Sequence, residues 1–201
     1  MKKVILTAAI ALSVLFGIST TTYAATGSKE EVSTVLTDVS NISEIEVHGN
    51  VQVYLTSASD DKVKVYNNYY ADNALVQEES GTLRITSYSA EKLVVWVAAK
   101  DLSSVSAYDN VEVKSFGNLS NIEFNVDLHN NASAKLDLDA FSANVTVADH
   151  AKIDLSGAAN EYTLTHNIAS SVNNYNFKAD HFTDNKIIIP TVKNDDTLVD
   201  L

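Results

Sequence analysis

The 201-residue chain contains no cysteine, a single arginine at Arg84 and a single tryptophan at Trp96. Without cysteine an exported protein is built with no disulfides, and neither a thiol nucleophile nor a lipid-modified N-terminal cysteine is available. Also missing are a Gly-rich phosphate loop, a Gly-x-Ser-x-Gly elbow and a His-Glu-x-x-His pair, which removes most familiar enzyme and nucleotide-binding classes. The formal charge is −12, and nucleic acid and anionic lipid need clustered Lys and Arg on such a surface to displace counterions. No segment after residue 32 keeps a 3.6-residue apolar period, so little or no helix is expected.

The one long apolar stretch, Val4 to Ile18, follows Met1-Lys2-Lys3 and precedes Ser19-Thr20-Thr21-Thr22-Tyr23-Ala24. These are the three parts of a secretory signal peptide, and the stretch falls short of the ~20 residues that span a bilayer. Residues 1–24 are therefore expected to be a signal peptide cleaved after Ala24, residues 25–31 a flexible leader and residues 32–201 a single domain. Export is implied, to the periplasm, the cell surface or the medium, with no membrane span after cleavage.

What the chain has instead is alternation. Ile45, Val47, Val51, Val53, Leu55, Val63 and Val65 keep a period of two, as do Leu83, Ile85, Val95, Val97, Val105, Ala107, Val111 and Val113. The sets Ile122-Phe124-Val126-Leu128, Ala132-Ala134-Leu136-Leu138, Phe141-Ala143-Val145-Val147 and Ala151-Ile153-Leu155 continue it.

Short polar frames interrupt these runs: Val47-(His48-Gly49-Asn50)-Val51, Ala107-(Tyr108-Asp109-Asn110)-Val111, Leu128-(His129-Asn130-Asn131)-Ala132, Val147-(Ala148-Asp149-His150)-Ala151 and Leu164-(Thr165-His166-Asn167)-Ile168. Val65-(Tyr66-Asn67-Asn68)-Tyr69 is a further candidate. The frames recur at a period near twenty, with the gap from Val47 to Ala107 read as three intervals. Hairpin turns of a sandwich have no reason to share a pattern, whereas equivalent corners of a solenoid form a column. The expectation is an all-β, right-handed parallel β-helix of roughly eight ~20-residue coils, with an antiparallel β-sandwich as the alternative. Asparagine at the third corner position suggests left-handed backbone there and amide ladders along the axis.

The segments Ile42-Ser43-Glu44-Ile45-Glu46-Val47-His48-Gly49-Asn50-Val51-Gln52-Val53-Tyr54-Leu55, Gly81-Thr82-Leu83-Arg84-Ile85 and Leu93–Val97 leading into Asp101-Leu102-Ser103-Ser104-Val105 resemble the auto-transporter adhesin head domain, also called the GIN domain. The likeness covers about residues 32–185. It implies an exported bacterial β-helix and supplies no catalytic residues. Corners in that family commonly carry small Ser-Gly-Ala-like clusters; Ser156-Gly157-Ala158 keeps this form, while the corners of Tyr108 and His129 depart from it.

Binding candidates follow. Tyr66, Tyr69, Tyr70, Tyr88 and Trp96 concentrate the aromatics in the N-terminal half, beside Asn67, Asn68 and Asn73, and rings with polar tips suit glycan or protein surfaces. Of these Tyr66, Tyr69, Tyr70 and Trp96, with Tyr108 and His129 from the corners, are the expected binding residues, for an unidentified glycan or protein at the cell surface. Solenoid stacking also sets Asp109 and Asp149 ~9–10 Å apart, near the ~6.5–9.5 Å of inverting glycosidases, although Asp is favoured in any turn. The five histidines occupy different corner positions without metal-ligand spacing, and no calcium repeat is present. No metal or cofactor is expected, and a non-catalytic recognition module is favoured over a glycan-active enzyme or a self-associating structural protein.

Overall fold

A computed structural model describes residues 33–36, 39–66 and 70–187. The signal peptide and leader expected at residues 1–31, and the C-terminal stretch from Ile188, lie outside the described residues. Among the described residues no helix is long and apolar enough to cross a membrane. Among the described residues the fold is all-β apart from one helical turn, and it is built as a single sheet of thirteen strands.

In chain order the strands are β1 (Thr34–Leu36), β2 (Glu44–His48), β3 (Val51–Ser57), β4 (Lys62–Tyr66), β5 (Ala74–Glu79), β6 (Thr82–Ser87), β7 (Leu93–Ala99), β8 (Ser104–Ala107), β9 (Glu112–Ser115), β10 (Leu119–Leu128), β11 (Ser133–Val147), β12 (Lys152–Asn167) and β13 (Ser171–Ile187), with α1 at Tyr70–Asn73. They form two columns. One runs β1-β4-β7-β3-β9 and continues through the first halves of β11, β12 and β13; the other runs β5-β6-β2-β8-β10 and continues through their second halves. Each column is eight strands deep. The long strands β11–β13 bend and join the columns, so the sheet curls around one buried cluster.

Alternation explains the core. Val51, Val53 and Leu55 are fully buried while Gln52 and Tyr54 between them reach the surface, because successive side chains of a strand point to opposite faces. The bend interrupts this period. Ala140 and Ala143 are both buried, so Phe141 between them is turned out and 57% exposed, and Ile122 on the neighbouring strand is 78% exposed. Both had been expected inside, on an alternation that holds only along straight strand.

The strand orientation is mixed, which corrects the expectation of a wholly parallel solenoid. Most pairings are parallel, but β1 with β4, β4 with β7 and β5 with β6 are antiparallel. The β5–β6 hairpin has a local cause: Ser80 and Gly81 both have positive φ, 54° and 88°, the requirement of the two-residue turn whose twist matches the strands it joins. The 60-residue gap also reads differently. Val47 pairs directly with Ala107, with no rung between; the chain spends the intervening residues on β4, β5, β6 and β7, which stack on the other side of β2 and β3.

The corner frames are real at four positions, with the left-handed residue one place earlier than expected. Gly49, Asp109, Asn130 and Asp149, the second of each triplet, have φ of 89°, 59°, 57° and 56°. Asn50, Asn110, Asn131 and His150 do not lie in the left-handed region. Each of the last three corners is a tight turn closed by an N–H to C=O bond, Val111 to Tyr108, Ala132 to His129 and Ala151 to Ala148, with positive φ at the first central position. The side chain there does a second task. Asp109 Oδ2 accepts from Gly49 N–H (2.9 Å), Asn130 Oδ1 from Asp109 N–H (3.1 Å) and Asp149 Oδ2 from Asn130 N–H (2.9 Å). The expected amide-to-amide ladder is thus a side-chain-to-backbone ladder, which satisfies one turn donor per rung.

The fifth frame is displaced. Val147 pairs with His166 and Lys152 with Ser171, so the turn falls at Ile168-Ala169 and not at Thr165-His166-Asn167. There Asn167 Oδ1 accepts from Ala169 and Ser170 N–H, and Ile168 stands fully exposed in the place held by Asp149 one rung earlier. Tyr66 belongs to β4, so the further candidate corner begins inside a strand, and its residues 67–69 lie outside the described residues.

Candidate recognition site

The expected binding residues separate into two places. On the outer surface of the first column, Trp96 of β7 stacks on Tyr54 of β3 (centroids 4.6 Å apart, 30° between planes), and Phe116, just after β9, touches both, at 5.0 Å from Trp96 and 5.7 Å from Tyr54. Trp96 and Tyr54 are register partners on adjacent strands and Tyr54 faces Lys114 on the next. Such close neighbours contribute ~0.5–1.5 kcal/mol per aromatic pair beyond burial. Phe116 remains 55% exposed. It borders a groove of about 410 Å³ lined by Tyr54, Lys114, Phe116, Lys135 and Asp137 among others.

Tyr66 shares this surface, two residues along β4 from Lys64, which pairs with Trp96; the Lys64 ammonium lies 4.6 Å from the centre of the Tyr66 ring, a cation–π geometry. Tyr69 is outside the described residues, and Tyr70 is placed only as the first residue of α1. Tyr88 is exposed in the connection between β6 and β7. Sequence reasoning missed Tyr54 and Phe116. Tyr54 carried a usable signal, since it sits at an outward position between Val53 and Leu55; Phe116 lies beyond its strand and carried none.

Tyr108 and His129 form the second place, at the corners. His48, Tyr108 and His129 occupy the same position on successive rungs, and their rings stack at 4.5 and 5.1 Å, each pair within 5° of parallel. Carboxylates flank the stack: His48 Nε2 lies 2.8 Å from Glu46, His129 Nε2 lies 2.9 Å from Asp127, and Arg84 Nε donates to Glu46 at 3.2 Å. The hydrogen bond from His48, reinforced by Arg84, holds the Glu46 carboxyl below its ordinary 4.5. Desolvation, then the charges of Asp127 and Glu46, push the Tyr108 phenol above its usual range. The histidines are paired with these carboxylates while the stack stays partly exposed, and Ala148 ends it on the next rung.

The corner aspartates are engaged as well. Asp109 and Asp149 both accept backbone N–H bonds in the ladder, which accounts for aspartate at these turns without catalysis. No group of three or more His, Asp or Glu that could hold a metal ion occurs among the described residues.

A family model described as putative auto-transporter adhesin, head GIN domain, matches residues 41–186. Among curated proteins none matches. Solved structures share the fold at low identity. A putative adhesin from Bacteroides fragilis is 14% identical with a TM-score of 0.71, the match covering 79% of this chain and 77% of that one. A putative adhesin from Parabacteroides merdae is 12% identical with a TM-score of 0.62, covering 77% of each. A putative lipid binding protein from Parabacteroides distasonis is 11% identical with a TM-score of 0.59, covering 77% and 78%.

Proposed function

The chain belongs to the auto-transporter adhesin head GIN domain family, and from that premise we propose that it is an exported, non-catalytic recognition module that binds glycan or protein at the bacterial surface. In this reading residues 1–24 are a cleaved signal peptide, residues 25–31 a leader and residues 32–201 one domain, its curled sheet a right-handed parallel β-helix with antiparallel strands added at one end. The observation that carries the binding role is the contact of Trp96, Tyr54 and Phe116 on the solvent side of neighbouring strands. Rigid strands hold these rings ready, so little side-chain freedom is lost on binding.

Lipid, the ligand class in the name of one structural relative, is less favoured. The buried cluster is filled by side chains of both columns, and the groove at Phe116 has lysine and aspartate on its walls.

Trp96 is the only tryptophan, so its fluorescence reports directly on this surface. A glycan and protein array with the mature domain, followed by titration of each hit against Trp96 emission, is the test. Binding that perturbs the emission and is weakened at least roughly tenfold by Tyr54→Ala, a change of about 1.4 kcal/mol, supports the reading. Hits that leave the emission and the Tyr54→Ala variant unaffected overturn it.

A further inference from the structure

We infer that the ligand of the Trp96 surface is an anionic glycan lying along the stacking axis; the inference rests on the recognition reading above and adds the ligand's charge and direction. The strand register places Lys64, Trp96, Tyr54, Lys114 and Lys135 in one line, each opposite the next on adjacent strands, followed by Asp154. Neighbouring strands are ~4.8 Å apart, so the Trp96–Tyr54 stack, with the exposed Phe116 ring beside it, is flanked on both sides by ammonium groups at a spacing comparable with one pyranose unit. Sugar rings present C–H faces to aromatic rings, and a carboxylate or sulfate on adjoining units meets the lysines.

The charge distribution singles out this face. The chain as a whole is strongly acidic, yet the outer surface of the first column carries Lys62, Lys64, Lys114, Lys135 and Lys152 on its strands, with the Lys92 head group reaching over Glu112. Against these stand Glu112, Asp137, Asp139 and Asp154, with Lys178 a further cation on the last rung. The outer surface of the second column is the reverse, with Glu44, Glu46, Glu79, Glu123, Asp127 and Glu161 around Arg84. Cations gathered on one face of an acidic protein define where an anion lands.

The existing pairs do not block the site. Lys114 with Glu112 at 3.4 Å and Lys135 with Asp154 at 3.6 Å are solvent-exposed ion pairs, whose net contribution is small and which exchange readily for another carboxylate. Lys64 rests against Tyr66.

The test is a fluorescence titration of the full mature chain with three oligosaccharides of equal length: an oligogalacturonate, a sulfated chondroitin and a neutral cello-oligosaccharide. The expected result is a Trp96 response to a charged oligosaccharide that weakens with added salt, with the carboxylated and sulfated probes telling which anion is preferred. A K64Q/K114Q variant should lose roughly tenfold or more in affinity with an unchanged melting curve, while an R84Q/K186Q control with the same charge change, on the second column, stays within about twofold. A neutral oligosaccharide that binds as tightly as the charged ones, or equal losses in both variants, overturns the anionic assignment and leaves the recognition surface standing. Trp96-dependent binding of a protein with no response to any saccharide does the same, whereas ligands that never touch Trp96 overturn both.

Discussion

From Tyr108 onward the chain order is the stacking order, and strand partners are offset by 19 to 21 residues from β8 to β13. Before it the offsets are 38, 42 and 60 residues, β2 and β3 lie between strands made later, and antiparallel β1, β4 and β5 finish that end. One sheet therefore contains a half built by repetition and a half built by insertion. Repetition needs only a local rule, a left-handed turn residue whose side chain reaches the previous rung; insertion needs partners that are distant in sequence. The two ends differ accordingly. The inserted half ends in short antiparallel strands, a recognised way of protecting an edge. Among the described residues the last strand of the repeated half is the 17-residue β13, with Tyr175, Phe182 and Ile187 exposed.

The largest effects are expected at glycines that fit nothing else, and they test whether both halves are held equally tightly. A Cβ on Gly157 would lie 1.9 Å from the Leu138 carbonyl oxygen, and one on Gly49 2.2 Å from that of Ser87, at φ of 109° and 89°. Gly157→Ala in the repeated half and Gly49→Ala in the inserted half should each cost roughly 3 kcal/mol or more. Gly117→Ala, with φ of 78° and open space around it, should cost only about 1–2 kcal/mol. Urea melts decide this, and three equal losses would contradict the packing described.

A second pair sharpens the contrast between centre and end. Leu55 is early in the chain but fully buried, whereas Phe182 of the last rung is 53% exposed. Leu55→Ala should lose about 2–5 kcal/mol and Phe182→Ala about 1 kcal/mol; the reverse order would mean that the inserted rung is not central. Next comes the corner ladder. Asp109→Gly keeps the left-handed turn but removes the acceptor for Gly49, for about 1 kcal/mol, and Asp109→Ala should add the backbone strain of ~1–2 kcal/mol. Equal losses on denaturation would show that the lost hydrogen bond, and not backbone strain, accounts for the whole effect.

The smallest effect is electrostatic. Glu46 is held below its ordinary 4.5, chiefly by His48, so its contribution is complete above that value and is lost as the pH falls through the lowered one. Glu112, beside Lys92 and Lys114, behaves in the same direction. Glu46→Gln should flatten the acid side of the stability profile slightly, followed by thermal melts between about pH 5 and 3; a flattening on the alkaline side would contradict the assignment.

What the sequence made legible follows the same division. The buried faces of β2, β3 and the straight stretches of β10 and β11 on either side of the bend are readable because apolar residues alternate there, and four corners are readable because left-handed turns accept few residues. The insertion was hidden: a multiple of the period looks the same whether two rungs lie between Val47 and Ala107 or none. Phe141 and Ile122 were misplaced because a bend shifts the alternation without leaving a Gly or Pro to mark it. Trp96 and Tyr66 were legible in the sequence, and Tyr54 was as an outward position between buried neighbours; that these rings meet one another and Phe116 depends on cross-strand register, which no local pattern encodes. The stack of His48 on Tyr108 and His129 likewise depends on which rungs are neighbours.

The placement of β2 and β3 between later strands also sets a schedule. As the chain is synthesised from its amino terminus, Glu44 meets its first strand partner only when Thr82 exists and its second only when Ser104 does. Val53 waits likewise for Val95 and then Val113. The two central strands of the inserted half thus wait on long loops whose closure slows folding, while β10 to β13 pair with strands made shortly before them. A chain so arranged has partners early for β1 with β4 and for β5 with β6, but its core strands β2 and β3 gain both neighbours only once β8 and β9 have been made.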